Sequence, residues 1–290
     1  MAAALIAAVA LASLPGASIA ADQPWLTLPA PIALPAATTE GRVSHSGAQI
    51  WYATYGAGDP VLLLHGGLGS SDDWGDQIPA LIAAGHEVIV IDSRGQGRST
   101  RDARPLGYEL MESDVIAVLD QLGVRKTAVV GWSDGAILAL IMAMKQPDRV
   151  SRIFAFGANM DVGGLRPLGL LSPILPKVNA LLAGDYARIS PTPNDFAALT
   201  KAVQAMQLSQ PNYSRSDLAA IRGPEIAIVD GEREEFIHRR HTEYLAHTIP
   251  GAKLILLPNV GHFAPLQDPA GFNAAMLGFL DGVAAGEAPR

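Results

Sequence analysis

Ser133 stands in Gly131-Trp132-Ser133-Asp134-Gly135, between a short apolar run at residues 127–130 and a helix-prone stretch at 136–145. Strand, G-x-S-x-G, helix is the arrangement that sets a serine on a tight turn at the carboxyl edge of a sheet, with its hydroxyl exposed. So sharp a turn strains the serine backbone and brings strand and helix together, so that side chains at positions 131 and 135 would collide. A hydroxyl is a poor nucleophile at neutral pH and needs a base; an imidazole suits the task. A carboxylate to fix the imidazole tautomer and N–H groups to hold an oxyanion complete the chemistry.

The chain has seven histidines and no cysteine, which excludes a thiol nucleophile, disulfides and thiolate metal sites. His262 follows a strand-like run at 253–257, on a loop that opens Pro258-Asn259-Val260-Gly261. His238, His241 and His247 share a predicted helix; the first two have a spacing that could bind metal, but a solvated helix face is the expectation, and no metal is predicted. Carboxylates cluster in Asp230-Gly231-Glu232-Arg233-Glu234-Glu235, just after a strand at 225–229, and Asp161 follows a strand at 150–156.

These residues need a scaffold. At 290 residues, 49% hydrophobic and 17% charged, the chain can bury a large core, and a net charge of −7 without a basic run argues against a nucleic-acid partner. Residues 42–46 and 49–55, around Ser46-Gly47, predict a β-hairpin. The unbroken apolar run at 61–64 predicts a strand covered on both faces, and 87–91, 127–130, 150–156, 225–229 and 253–257 predict further strands. They alternate with helices expected at 73–84, 108–122, 136–145, 238–248 and 269–280, which makes the fold class α/β, with a mostly parallel central sheet flanked by helices.

Residues 159–217 break the rhythm with glycines and prolines, among them Gly163, Gly164, Pro167, Pro173, Pro176, Pro191, Pro193 and Pro211, around short helical stretches such as 195–207, and predict an inserted helical cap. The core is then residues 42–158 and 218–281. Residues 1–20 carry no charge and combine an apolar segment, a Pro-Gly breaker and small residues. They match a signal peptide cleaved after Ala20 better than a spanning helix, although no Lys or Arg precedes the segment. An apolar arm packed on a cytoplasmic protein is the alternative. Residues 21–41, rich in proline and alanine, are expected to be a linker outside the fold.

The chain resembles the α/β-hydrolase superfamily over about residues 42–281 through four motifs in the family's order. They are His65-Gly66-Gly67, Asp92-x-Arg94-Gly95-x-Gly97-x-Ser99, the turn around Ser133, and Gly261-His262-Phe263. The resemblance implies a triad in the order Ser133, acid, His262. After the strand at 225–229 the family shows a glycine, two variable residues and an aspartate; here Gly231-Glu232-Arg233 leads to Glu234, with Asp230, Glu235 and Asp161 as rivals. A glutamate serves because the need is a carboxylate that accepts from the imidazole Nδ1–H. The resemblance also implies oxyanion donors at the N–H groups of Gly67 and Asp134, a loop-shaping role for His65, and bracing by Asp92 and Arg94. Gly66, Leu68, Trp132 and Phe263, which flank these residues, are expected to line the substrate site.

A serine at the turn argues against the dehalogenase and epoxide-hydrolase members, which carry aspartate there. What the resemblance implies is hydrolysis of a small-molecule carboxylic ester through an acyl-enzyme, with no cofactor and no stable membrane insertion. Lactone opening, C–C bond hydrolysis, aminopeptidase action, acyl transfer and a binding protein on the same fold stay open. Leu165, Leu168, Leu170, Leu171, Ile174, Leu175 and Leu181 of the cap are expected to roof an apolar pocket.

Overall fold

The computed structural model describes residues 23–282. The expected signal-peptide segment, residues 1–20, lies outside the described residues. After a 3₁₀ turn at Pro24–Leu26 come β1 (Thr39–His45) and β2 (Ala48–Gly56), an antiparallel hairpin closed by Ser46 and Gly47, both at positive φ. Then come β3 (Asp59–Leu64), α1 (Gln77–Ala83), β4 (His86–Ile91), α2 (Tyr108–Gln121), β5 (Thr127–Trp132), α3 (Asp134–Lys145) and β6 (Val150–Phe156). An insertion with two 3₁₀ turns holds α4 (Leu175–Ile189), α5 (Phe196–Gln207) and α6 (Arg215–Ala219). The alternation resumes with β7 (Glu225–Gly231), α7 (Arg239–Thr248), β8 (Lys253–Leu257), α8 (Ala264–Gln267) and α9 (Pro269–Leu280).

The eight strands form one sheet in the order β1-β2-β4-β3-β5-β6-β7-β8, antiparallel at the β1-β2-β4 edge and parallel from β4 through β8. Apart from the edge strand β8, where Lys253 and Leu254 are exposed, the parallel strands are apolar on both faces because each face is covered. Ile89, Val129 and Ile153 join the core beneath α2 and α3, while Val90, Val130 and Phe154 join the opposite core with Trp74, Phe272 and Phe279. This layering fixes where chemistry can occur, since the parallel strands end at a common edge and the loops that leave them carry the exposed polar groups.

Two expectations change. α4 is the longest cap helix, and Pro176 lies in its first turn, where a missing N–H costs nothing; the proline starts this helix instead of interrupting it. Residues 23–38, expected to lie outside the fold, are laid along the core. Leu28, Leu34 and Ala37 pack on the Trp74 side, and the Thr38 N–H donates to the Thr54 carbonyl at 2.8 Å.

Candidate active site

The carboxyl edge of the parallel strands brings the expected residues to one place. β5 pairs with β3 through Gly131 and Leu64 and with β6 through Trp132 and Phe156, so Ser133 emerges between the loops that follow Leu64 and Phe156. Its backbone is at φ 54°, ψ −116°, and its N–H donates to the Phe156 carbonyl at 2.8 Å. A Cβ at Gly131 would overlap the Gly135 carbonyl, and one at Gly135 would overlap the Leu64 carbonyl, so both glycines are demanded by close approach. The half-buried Ser133 forms no hydrogen bond with His262 in this structure. Such contacts commonly tighten only when substrate is held.

The loop after β3 is held rigidly. His65 is buried and has neutral-imidazole partners: Nδ1 donates to the Gly66 carbonyl at 2.7 Å and Nε2 accepts the Ser93 N–H at 3.0 Å. Burial lowers its pKa. Gln96 Oε1 accepts the Leu68 N–H at 2.6 Å, and the Gly66 carbonyl accepts the Gly69 N–H at 3.1 Å. Leu68 sits at φ 66°, a conformation that this clamp enforces. Asp92 accepts from Ser71 and the Arg98 N–H, while Arg94 forms a buried ion pair with Asp114 at 2.5 Å. The N–H groups of Gly67 and Asp134 have no hydrogen-bond partner among the described residues. They are therefore free to receive a developing oxyanion.

The Asp134 carboxylate, by contrast, is engaged. The Tyr108 hydroxyl donates to it at 2.8 Å and Gln207 Nε2, from the end of α5 in the cap, at 3.1 Å. Burial raises its pKa, and these two donors oppose the rise.

His262 lies on the loop after β8, buried among Phe156, Phe236 and Phe263. Its Nδ1 donates to Glu234 Oε2 at 2.8 Å. The other oxygen of Glu234 accepts the N–H groups of Phe236 at 2.6 Å and Ile237 at 3.1 Å, which pins the carboxylate. Glu235 takes a different part of the same histidine: its Oε2 accepts the His262 backbone N–H at 2.8 Å. The His262 carbonyl accepts from Trp132 Nε1 at 2.8 Å. Ring, amide and carbonyl are thus each held by a separate side chain. Burial lowers the His262 pKa, opposed by Asp230, Glu235 and Asp134. Burial raises Glu234 to about 7, opposed by Asp230 and the two backbone donors. The pair is coupled, and the shared direction is that burial disfavours charge on either partner, so the resting imidazole stays neutral and able to accept a proton.

None of the rival acids hydrogen-bonds the His262 ring: Glu235 holds its backbone N–H, Asp230 lies against Glu234, and Asp161 is held by its own turn. Asp161 caps a 3₁₀ turn by accepting the Gly163 N–H at 2.6 Å. Asp230 is buried with the Thr242 hydroxyl at 2.5 Å, and burial raises it well above the usual carboxylate range. Of the expected lining residues, Gly66 lies against Ser133, while Leu68 and Phe263 are half-buried. Trp132 is in the core, edge-on to Trp74 and Phe263, and serves by holding His262. His241 is not on a solvated face; it is buried and accepts the Met160 N–H at 3.1 Å. In the cap, Ile174 is buried but Leu171 points outward with 77% of its surface exposed, so it roofs nothing. Leu182, Asp185, Tyr186 and Ile189 of the cap line a small cavity with Leu68, Gly69 and Ser70, outside the set expected from the sequence.

Comparison with known proteins places these features in context. Residues 59–188 match the model described as the alpha/beta hydrolase fold. The chain is 32% identical over 257 residues to human serine hydrolase BPHL, covering 83% of this chain and 86% of that protein. It is 28% identical to rhodomycin D methylesterase DauP of Streptomyces sp. (strain C5), over 73% of this chain and 88% of that one. Among solved structures it is similar to Est816, described as an N-acyl homoserine lactone degrading enzyme, with a TM-score of 0.67 and 27% identity over 82% of this chain and 99% of that chain.

Proposed function

The chain belongs to the α/β-hydrolase family and is a hydrolase, and from that premise we propose that it cleaves small apolar or aromatic carboxylic esters through an acyl-enzyme on Ser133. The observation that carries this reading is the His262–Glu234 contact of 2.8 Å, because it commits Nδ1 and leaves Nε2 as the basic atom. In the proposed reaction Nε2 takes the Ser133 proton as Oγ attacks the ester carbonyl. The Gly67 and Asp134 N–H groups receive the oxyanion. The imidazolium, stabilised by Glu234, then protonates the leaving alkoxide. Water, deprotonated by the same nitrogen, attacks the acyl-serine, and the imidazolium returns that proton to Ser133 Oγ as the acyl bond breaks and the acid leaves.

A lactone is a cyclic ester that would follow the same steps, and the similarity to Est816 favours including it in the substrate class. A panel of p-nitrophenyl esters, γ-lactones, aryl amides and a β-diketone on the purified protein tests the proposal. Fastest turnover of an aryl amide or of the β-diketone would overturn the ester reading. We also propose export, supported by the uncharged, apolar residues 1–20 ending in Ala-Ser-Ile-Ala. N-terminal mass analysis from the native host should find a chain that begins at or near Ala21, and an intact Met1 would count against it.

A further inference from the structure

Residues 23–27 lie far from Ser133 in sequence, yet hydrogen bonds connect them to the loop of His262. Pro24–Leu26 form a 3₁₀ turn, and the carbonyls of Trp25 and Thr27 accept from Gln267 Nε2 at 2.9 and 3.2 Å. Gln267 Oε1 accepts the Gly261 N–H at 2.8 Å. The two ends of the amide therefore face opposite kinds of partner. Turning it over would set its oxygen against two carbonyls and its NH₂ against an N–H, so its orientation is determined by the contacts. Gly261 immediately precedes His262, whose own N–H is already committed to Glu235.

The same turn reaches the acid loop and the cap. The Arg233 guanidinium lies over the Trp25 ring at 4.8 Å, one residue before Glu234, and Lys177 Nζ of α4 donates to the Leu26 carbonyl at 3.4 Å. An open groove of about 420 Å³ runs between Trp25, Leu26, the cap residues Arg166 and Leu171, and the acid loop at 232–235. With that space beside it, the acid loop lacks continuous packing on this side, and the turn supplies the contact.

We propose that residues 23–27 and Gln267 form a positioning strap for the His262–Glu234 pair, with Gln267 as its central link. The inference rests on the reading of His262 as the general base. Gln267 touches no reacting atom; it fixes the Gly261 amide and through it the direction of the imidazole. Loose support of this kind costs rate more than substrate binding, since the ring must meet Ser133 Oγ and the leaving group in a narrow range of angles.

The test compares the full chain with a chain lacking residues 1–20, a chain lacking residues 1–27, Gln267→Met, and the last two changes combined. The deletion to residue 20 keeps every contact named above and should behave as the full chain does. Deletion to residue 27 removes both carbonyls but keeps Leu28, Leu34 and Ala37 on the core. On the best ester of the panel, deletion to residue 27 and Gln267→Met should each lower kcat about 10-fold with KM within twofold, and the combination should lose no more than either alone. Hydrogen exchange across residues 258–264 should rise in both. If the deletion prevents folding, Gln267→Met decides the matter by itself. Unchanged kcat, losses that multiply, or unchanged exchange would each overturn the strap. A full chain without ester turnover would instead overturn the functional reading, and the exchange measurement would still decide whether the strap holds the loop.

Discussion

Glu235 holds the backbone N–H of His262 at 2.8 Å while its neighbour Glu234 holds the imidazole at the same distance. Adjacent residues on one loop thereby constrain two different parts of one side chain's path. Because one acts on the ring and the other on the main chain, substitution should separate them by phenotype.

Glu234→Gln leaves the imidazole a neutral partner that cannot stabilise an imidazolium. Ester hydrolysis should fall by about 10²–10⁴ in kcat, whereas Asp161→Asn, which touches only the Gly163 N–H, should stay within about threefold. Steady-state kinetics on both variants checks this. The reverse ranking would move the acid to Asp161.

Glu235→Gln keeps an acceptor for the His262 N–H but removes a negative charge. The Glu235 and Asp230 carboxyls and the Asp134 carboxylate all favour the charged imidazole, against the burial that disfavours it, and Arg166 faces Glu235 from the cap side. With one anion fewer the imidazolium is harder to form. The acid limb of kcat/KM should therefore shift to lower pH, by about half a unit to one unit. A limb that stays fixed or moves upward contradicts the assigned geometry.

What could be read from the chain alone followed the strength of each local signal. The covered strands were legible because burial on both faces leaves unbroken apolar runs, and the Ser133 turn because only glycine fits at 131 and 135. α4 was missed because a proline in a first turn looks like a breaker until the helix is seen. The contacts of residues 23–27 run through the carbonyls of Trp25 and Thr27, which no side-chain pattern reports. Gln96, Gln207 and Gln267 share that silence: amides from distant segments fix the loops around the site, and nothing in their spacing marks them. Leu171 was misplaced because composition says that a segment is apolar but not which side chains face inward.

Asp73 offers a stability test away from the site. It is buried against Gly69 of the loop after β3, where its Oδ2 accepts the Ser70 N–H at 3.0 Å, and burial pushes its pKa up to about 7, with Asp185, Asp72 and Asp92 adding to the rise. Between its unfolded pKa of about 4 and its folded value, the native state binds a proton that the unfolded chain does not. Stability should fall as pH rises through that window. Asp73→Asn keeps the acceptor and cannot ionise, so it should be stabilised by about 2 kcal/mol relative to the parent at pH 8 and show little difference at pH 4. Urea unfolding at the two pH values measures it, and a parent that is the more stable at pH 8 would refute the assignment.

The strain at Ser133 yields the last prediction. A non-glycine residue at φ 54°, ψ −116° carries a cost of roughly 1–3 kcal/mol, which the surrounding strand, helix and Phe156 carbonyl hold in place. Ser133→Ala removes the nucleophile but keeps the Cβ, so the strain persists and Tm should move by no more than about 1 °C. Ser133→Gly removes both. Glycine adds about 0.5–1 kcal/mol of chain entropy to the cost of folding, so the net gain should be about 1 kcal/mol, or ~2 °C in Tm for a chain of this size. Ester hydrolysis should fall by about 10⁴-fold or more in both variants, because neither has an Oγ for His262 to activate. Calorimetry on the three proteins separates the effects. A glycine variant less stable than the alanine variant would mean that the turn is unstrained, and an alanine variant with near-normal turnover would mean that the nucleophile lies elsewhere.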